Sequence, residues 1–185
     1  MNFNYNDGGR SNYFKGKDAG DCVARSIAIA TGKDYKEVYD ALNELAKTER
    51  RGTKKRGISN ARTGVYRRTY ERYLNSIGWE FKPLMLIGSG CKVHLSEDDI
   101  KREGLDYGAY VLSLSGHLTA LVDGVIQDTH NPSREGTRCV YGYYYKSIRL
   151  KDKYRLDDLR ATRAKLQAKL DRIDKEIREL TGEAR

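Results

Sequence analysis

The stretch GKDAGDCVARSIAIATG, residues 16–32, decides the fold. Glycines and acids give way at Cys22 to a run of nine residues that is nearly apolar. The run predicts a short buried helix from Cys22 to Thr31, with apolar Val23, Ile27 and Ile29, small Ala24, Ala28 and Ala30, and Gly32 as its C-terminal cap. Residues 1–21, rich in Asn, Gly and Asp, read as loop. Cys22 therefore stands where loop becomes helix, at the positive end set up by unpaired N–H groups. A thiol so placed, with a cationic neighbour, has its pKa lowered from about 8.5 to roughly 3.5–7.5. Gly16 and Gly20 leave the preceding loop open. The thiol is either a nucleophile or one more small buried residue, and the choice depends on what the chain brings to it.

A second stretch, SGHLTALVDGVIQDTHNPS at residues 115–133, supplies an imidazole and a carboxylate. His117 begins an apolar strand that Asp123-Gly124 turns, a favoured two-residue hairpin loop. With those two residues as the loop, Val122 opposes Val125, Thr119 opposes Asp128 and His117 opposes His130. Asp128 then lies diagonally across from His117 on the same face, within reach of its ring. A carboxylate there fixes the imidazole tautomer and supports its positive charge. Asn131 is the rival for that third role, and His130 reads as a bystander.

Around these two stretches the chain reads as α+β. Asp34 and Glu37 form a capping-box pattern that opens a second helix running to about Thr48, with Val38, Leu42 and Leu45 on one face. A third helix is expected from about Thr63 to Ile77, with Tyr66, Tyr70, Tyr73, Leu74 and Ile77 inward and Gly78 ending it. Trp79 to Met85 reads as a strand, and Ser96 with Asp99 as a short capped helix. The segments AYVLSLS, HLTALVDG, VIQDT and RCVYGYYYK are short, β-rich and broken by Gly, which predicts a small, mostly antiparallel sheet.

From Leu156 the pattern changes. Leu156, Leu159, Arg163, Leu166, Leu170, Ile173, Ile177 and Leu180 alternate spacings of three and four, and the other positions are almost all Lys, Arg, Asp, Glu, Ala or Gln, mostly good helix formers. This predicts a helix of about 25 residues, roughly 37 Å long. Its narrow apolar stripe resembles a coiled-coil seam. The alternative is a terminal helix packed on its own domain. Residues 1–150 thus form one domain and 151–185 a heptad-patterned appendage. The seam predicts a homodimer or docking to a partner protein.

Charge and cysteine content bound the environment. Lys and Arg number 35 against 26 Asp and Glu, a formal charge of +9 that favours acidic partners. The basic run at residues 47–57, from Lys47 to Gly57, reads as an exposed loop that meets solvent, nucleic acid or an acidic protein. No apolar run is long enough to span a membrane, and the first residues lack the apolar core of a secretory signal. The three cysteines Cys22, Cys91 and Cys139 are odd in number and unclustered, so no disulfide framework and a reducing cytoplasm are expected. Cys91 and His94 have metal-ligand spacing that His130 and Cys139 could complete, but no second closely spaced pair exists, and neither metal nor cofactor is expected.

Cys on a helix start, His at a strand start and Asp on the next strand resemble the papain-like cysteine peptidase superfamily. GDCVARSIAIATG is similar to its nucleophile helix, GHLTALVDG to its histidine strand and VIQDTHNP to the strand bearing its third member. The likeness spans roughly residues 10–147 and is greater to compact bacterial and phage-encoded members. It implies a papain-like fold and a cysteine-dependent hydrolase of the peptidase, isopeptidase or amidase kind, acting on a protein or peptide substrate. Cys22, His117 and Asp128 would act through a covalent thioacyl intermediate. Family members often have a Gln about six residues before the Cys, where Gly16 stands here, with Asn12 the nearest stand-in. The alternative is an inactive papain-like scaffold serving as a basic binding protein.

Overall fold

The computed structural model describes residues 1–16, 20–50, 57–86, 88–147 and 150–181, with side chains in the last stretch from residue 158 onward. The nucleophile-helix candidate, α1, runs over Cys22–Thr31, and Gly32 closes it in the left-handed region at φ 67°. A residue with a Cβ adopts that conformation only at a cost, so glycine is the natural stop. Asp34 then caps α2 (Tyr35–Ala46) by accepting from the N–H groups of Lys36 and Glu37. The third helix, α3, covers Arg67–Ser76, four residues shorter at its start than the sequence pattern predicts. The reason lies in residues 60–64, where a tight turn pairs Asn60 with Gly64 and takes up backbone groups that a helix would need.

Six strands form one mixed sheet. They are β1 (Phe3–Tyr5), β2 (Trp79–Pro83), β3 (Ala109–Leu114), β4 (His117–Val122), β5 (Val125–Asp128) and β6 (Gly142–Lys146), in the order β1-β5-β4-β3-β6-β2. All neighbours are antiparallel except β1, which lies parallel to β5. The mixed α and β content agrees with the sequence reading, but the expectation that residues 1–21 are all loop is corrected. A three-residue edge strand with all its side chains exposed carries no alternation to read.

Both faces of the sheet are covered. On one, Val111, Leu118, Ala120 and Tyr144 pack against α1, α2 and α3, with Ala24, Ile27, Val38, Leu42 and Leu74 buried between. On the other, Leu112, Leu114, Leu121, Ile126 and Tyr143 meet Val93, Leu95 and Leu105, together with Ile100 of the short helix α4 (Glu97–Arg102). Successive strand residues point to opposite faces, so burial on both sides gives near-continuous apolar runs such as AYVLSL. Ser96 caps α4 by accepting from the Asp99 N–H, as its spacing predicts. Strands β2 and β6 approach closely at Gly142, where a Cβ would lie 2.6 Å from the Lys82 carbonyl oxygen.

The cysteine reading is also corrected. Cys91 and Cys139 form a disulfide with their Cα atoms 5.8 Å apart. They meet because residues 93–95 and 138–140 pair through two backbone bonds, Leu95 N–H to Arg138 and Val140 N–H to Val93. A pairing set by tertiary structure across 48 residues leaves no local spacing signal. The argument from cysteine usage to a reducing compartment therefore falls. The sulfurs of Cys91 and Cys139 are bonded to each other and are not available as metal ligands beside His94 and His130. Among the described residues no helix is long and apolar enough to cross a membrane.

Residues 1–146 form one compact unit and 147–185 a second. The second is built on α5 (Leu150–Thr181), a helix of 32 residues that starts earlier than the heptads because LKDKYR also favours helix. Leu159, Leu166, Leu170, Ile173, Ile177 and Leu180 are all exposed. The Leu156 side chain lies outside the described residues, as do residues 51–56 of the basic run.

Candidate active site

Cys22 is the first residue of α1, and Asp21 gives it no side-chain cap. The first N–H groups of the helix, those of Cys22 and Val23 among them, therefore have no intrahelical acceptor. The helix is buried through Val23, Ala24, Ile27 and Ala28, which fixes its start against β4. His117 opens β4, and Asp128 ends β5.

The hairpin forms as the Asp-Gly turn predicts. Val122 pairs with Val125, Leu121 with Ile126 and Ala120 with Gln127. Asp123 and Gly124 both take positive φ, 47° and 75°, as a two-residue turn of this hand requires. Asp128 Oδ2 lies 2.7 Å from His117 Nε2. At its other edge the ring faces the thiol closely enough for His117 and Cys22 to shift each other's protonation. With Nε2 engaged by Asp128, Nδ1 is the ring nitrogen left for sulfur. Asn131 is not the partner, because its side-chain oxygen accepts from the Ser133 N–H. His130 stands with its ring 5.2 Å from that of His117, at the cleft wall.

The three groups shift one another's protonation. Burial pushes the Cys22 thiol up, but the His117 hydrogen bond, the Leu118 N–H and the charges of His117 and Arg25 outweigh it and hold the thiol below its ordinary value. Burial alone would drive His117 down. The hydrogen bonds and charges of Asp128 and Cys22 raise it to about 9. Burial likewise raises Asp128, and the His117 imidazole and the Thr129 N–H bring it below the ordinary carboxylate value. The arrangement favours a thiolate beside an imidazolium more than either group would alone, and the two titrate as a pair.

Beneath the triad runs a buried ionic chain that the sequence reading missed. Asp21 is fully buried and accepts from Arg10 Nε at 3.0 Å, from Arg25 Nη1 and from the Tyr35 hydroxyl at 2.6 Å. Arg25 Nη2 lies 3.5 Å from Asp128 Oδ1, so one guanidinium joins the residue before the thiol to the carboxylate behind the imidazole. Arg10 Nη1 also donates to the Gly16 carbonyl at 2.6 Å and ties down the segment leading to Cys22. The legible signal was Arg25, the single charged residue of a mostly apolar helix, four residues after Asp21.

Cys22, His117 and His130 line a cleft of about 490 Å³. Gly20, residues 63–67, Tyr70 and Ser113 complete much of its wall, and among the described residues no carboxylate lines it. Asn12, the nearest candidate for the missing amide, is not among the lining residues. Gly20 permits the close approach of residue 63, whose carbonyl oxygen would sit 3.2 Å from an added Cβ. Comparison with protein-family models, with curated proteins and with solved structures finds no match.

Proposed function

We propose that the protein is a cysteine-dependent hydrolase on a papain-like scaffold, cleaving an amide bond of a protein or peptide through a thioacyl intermediate. The observation that carries this reading is the His117 ring, held by Asp128 at 2.7 Å, sharing a cleft with the Cys22 thiol whose protonation it shifts. The superfamily assignment rests on a thiol opening a buried helix and on an imidazole and a carboxylate presented by adjacent strands.

The chemistry follows from the geometry. The Cys22 thiolate attacks the substrate carbonyl, forming an S–C bond while the C=O π pair moves to oxygen. The uncapped N–H of Cys22 is a fixed donor available to that oxyanion, as the first amide of a helix. The tetrahedral species collapses as the C–N bond breaks, and the imidazolium N–H of His117 protonates the leaving amine. His117, now neutral, takes a proton from water as the water attacks the thioester. Collapse releases a carboxylic acid and returns thiolate and imidazolium. Asp128 holds the ring and its charge throughout. An α-amine, a lysine amine or ammonia can leave by the same steps.

Iodoacetamide labelling at pH 6.5 tests the reading. Cys22 is the free cysteine, with Cys91 and Cys139 paired. Wild type should label at least about tenfold faster than His117→Ala, because an ordinary thiol of pKa about 8.5 is only about 1% ionised at that pH. Equal rates would remove the ion pair and with it the hydrolase.

A further inference from the structure

We propose that α5 pairs with α5 of a second copy of this chain, and that the two helices run antiparallel. This goes beyond the proposed hydrolase and does not depend on it. The surface is the seam of Leu159, Leu166, Leu170, Ile173, Ile177 and Leu180, whose exposures run from 43% to 82%. A stripe of large apolar residues so open along several turns is what a coiled coil covers. Regular three-four spacing over this length suits a second helix better than a globular groove, which would not keep the period.

A second copy carries the same period, and charge sets the direction in which it pairs. Residues 150–165 carry six Lys or Arg against three Asp, whereas residues 166–181 carry four of each sign. A parallel pair sets the basic halves side by side. It also places the two Arg163 side chains in one core layer, facing each other. An antiparallel pair sets each basic half against a neutral one. In full overlap Leu159 faces Ile177 of the second copy, Leu166 faces Leu170, and Arg163 faces Ile173. The flanks of that last layer carry Asp174 and Glu176. The two Arg163 layers are then about 15 Å apart along the axis. A single polar core residue is a known device for fixing register and orientation, and here it selects the arrangement that separates it from its own copy. The pairing is isologous and closes at two chains.

Sedimentation of the full chain and directed cross-linking test this. The expected species is a dimer that dissociates on dilution and is lost in Leu166→Asp with Leu170→Asp. A monomer at all concentrations, a trimer or larger assembly, or a dimer that survives the double substitution would each overturn the proposal. For direction, Leu159→Cys and Ile177→Cys chains, both also carrying Cys22→Ala, are mixed and mildly oxidised. The antiparallel pair gives the cross-linked heterodimer. Self-linked dimers of either chain would mean a parallel pair and would overturn it. Because labelling of Cys22 is read separately in the wild-type chain, failure here leaves the hydrolase reading untouched, and the reverse.

Discussion

Asp128 divides its two oxygens between two cations, His117 on Oδ2 and Arg25 on Oδ1. At about 4 Å and an effective dielectric near 20, one such pair amounts to about 4 kcal/mol before desolvation, so losing the carboxylate should be visible in thiolate content. Asp128→Asn keeps a hydrogen bond to the ring without the charge, and Asp128→Ala keeps neither. Cys22 labelling at pH 6.5 should therefore fall from wild type and Asn131→Ala, which are alike, through Asp128→Asn to Asp128→Ala, the last slowed by at least about tenfold, or about 1.4 kcal/mol. Arg25→Gln should also move the pH at which labelling rises, because its guanidinium favours the thiolate. The meeting of His117 and Asp128 was legible in the sequence because an Asp-Gly turn fixes which strand residues oppose one another. Arg10 was not legible, and Asp21 only through its spacing to Arg25. Their carboxylate and guanidinium look like surface groups until a fold buries them together, and no periodicity marks that event.

Elements were legible where one physical rule set their ends. Helix α1 has a glycine stop, and α2 and α4 have side-chain caps, so their bounds follow from Gly32, Asp34 and Ser96. Helix α3 begins without a side-chain cap, and its predicted start strayed into the turn at residues 60–64. The Cys91–Cys139 link was invisible for a related reason, since neither segment it joins has a period. That link closes a loop across 48 residues, and restricting the unfolded chain to this extent contributes about 4 kcal/mol in the chain-entropy model. Cys91→Ser with Cys139→Ser should lower the urea midpoint accordingly, by a few kcal/mol in unfolding free energy. Cys22 labelling of the folded protein should stay close to wild type, because the link lies outside the cleft wall.

For the molecule as a whole, the ion pair makes a testable statement about stability and pH. His117, raised to about 9, contributes stability that is complete below its unfolded value near 6.5 and lost as pH rises through 9. Cys22, lowered from 9.0, contributes in the opposite sense, fully above 9.0 and less as pH falls through its folded value. Between about pH 6.5 and 9 these opposed contributions should make the wild-type unfolding free energy flatter than either alone would. Cys22→Ala leaves only the imidazole, still supported by Asp128, and its stability should fall as pH rises over the same range. Urea titrations at four pH values would reveal the contrast, and parallel slopes would contradict it. The parallel strand β1 has a different consequence, in time. It lies beside β5, with the Asn6 N–H on the Asp128 carbonyl, and contacts here join residues 123 apart in the chain. On a ribosome, the helix bearing the thiol emerges long before the carboxylate does. The nascent sulfur is then an ordinary one, and its reactivity is switched on only when the last strands close the sheet.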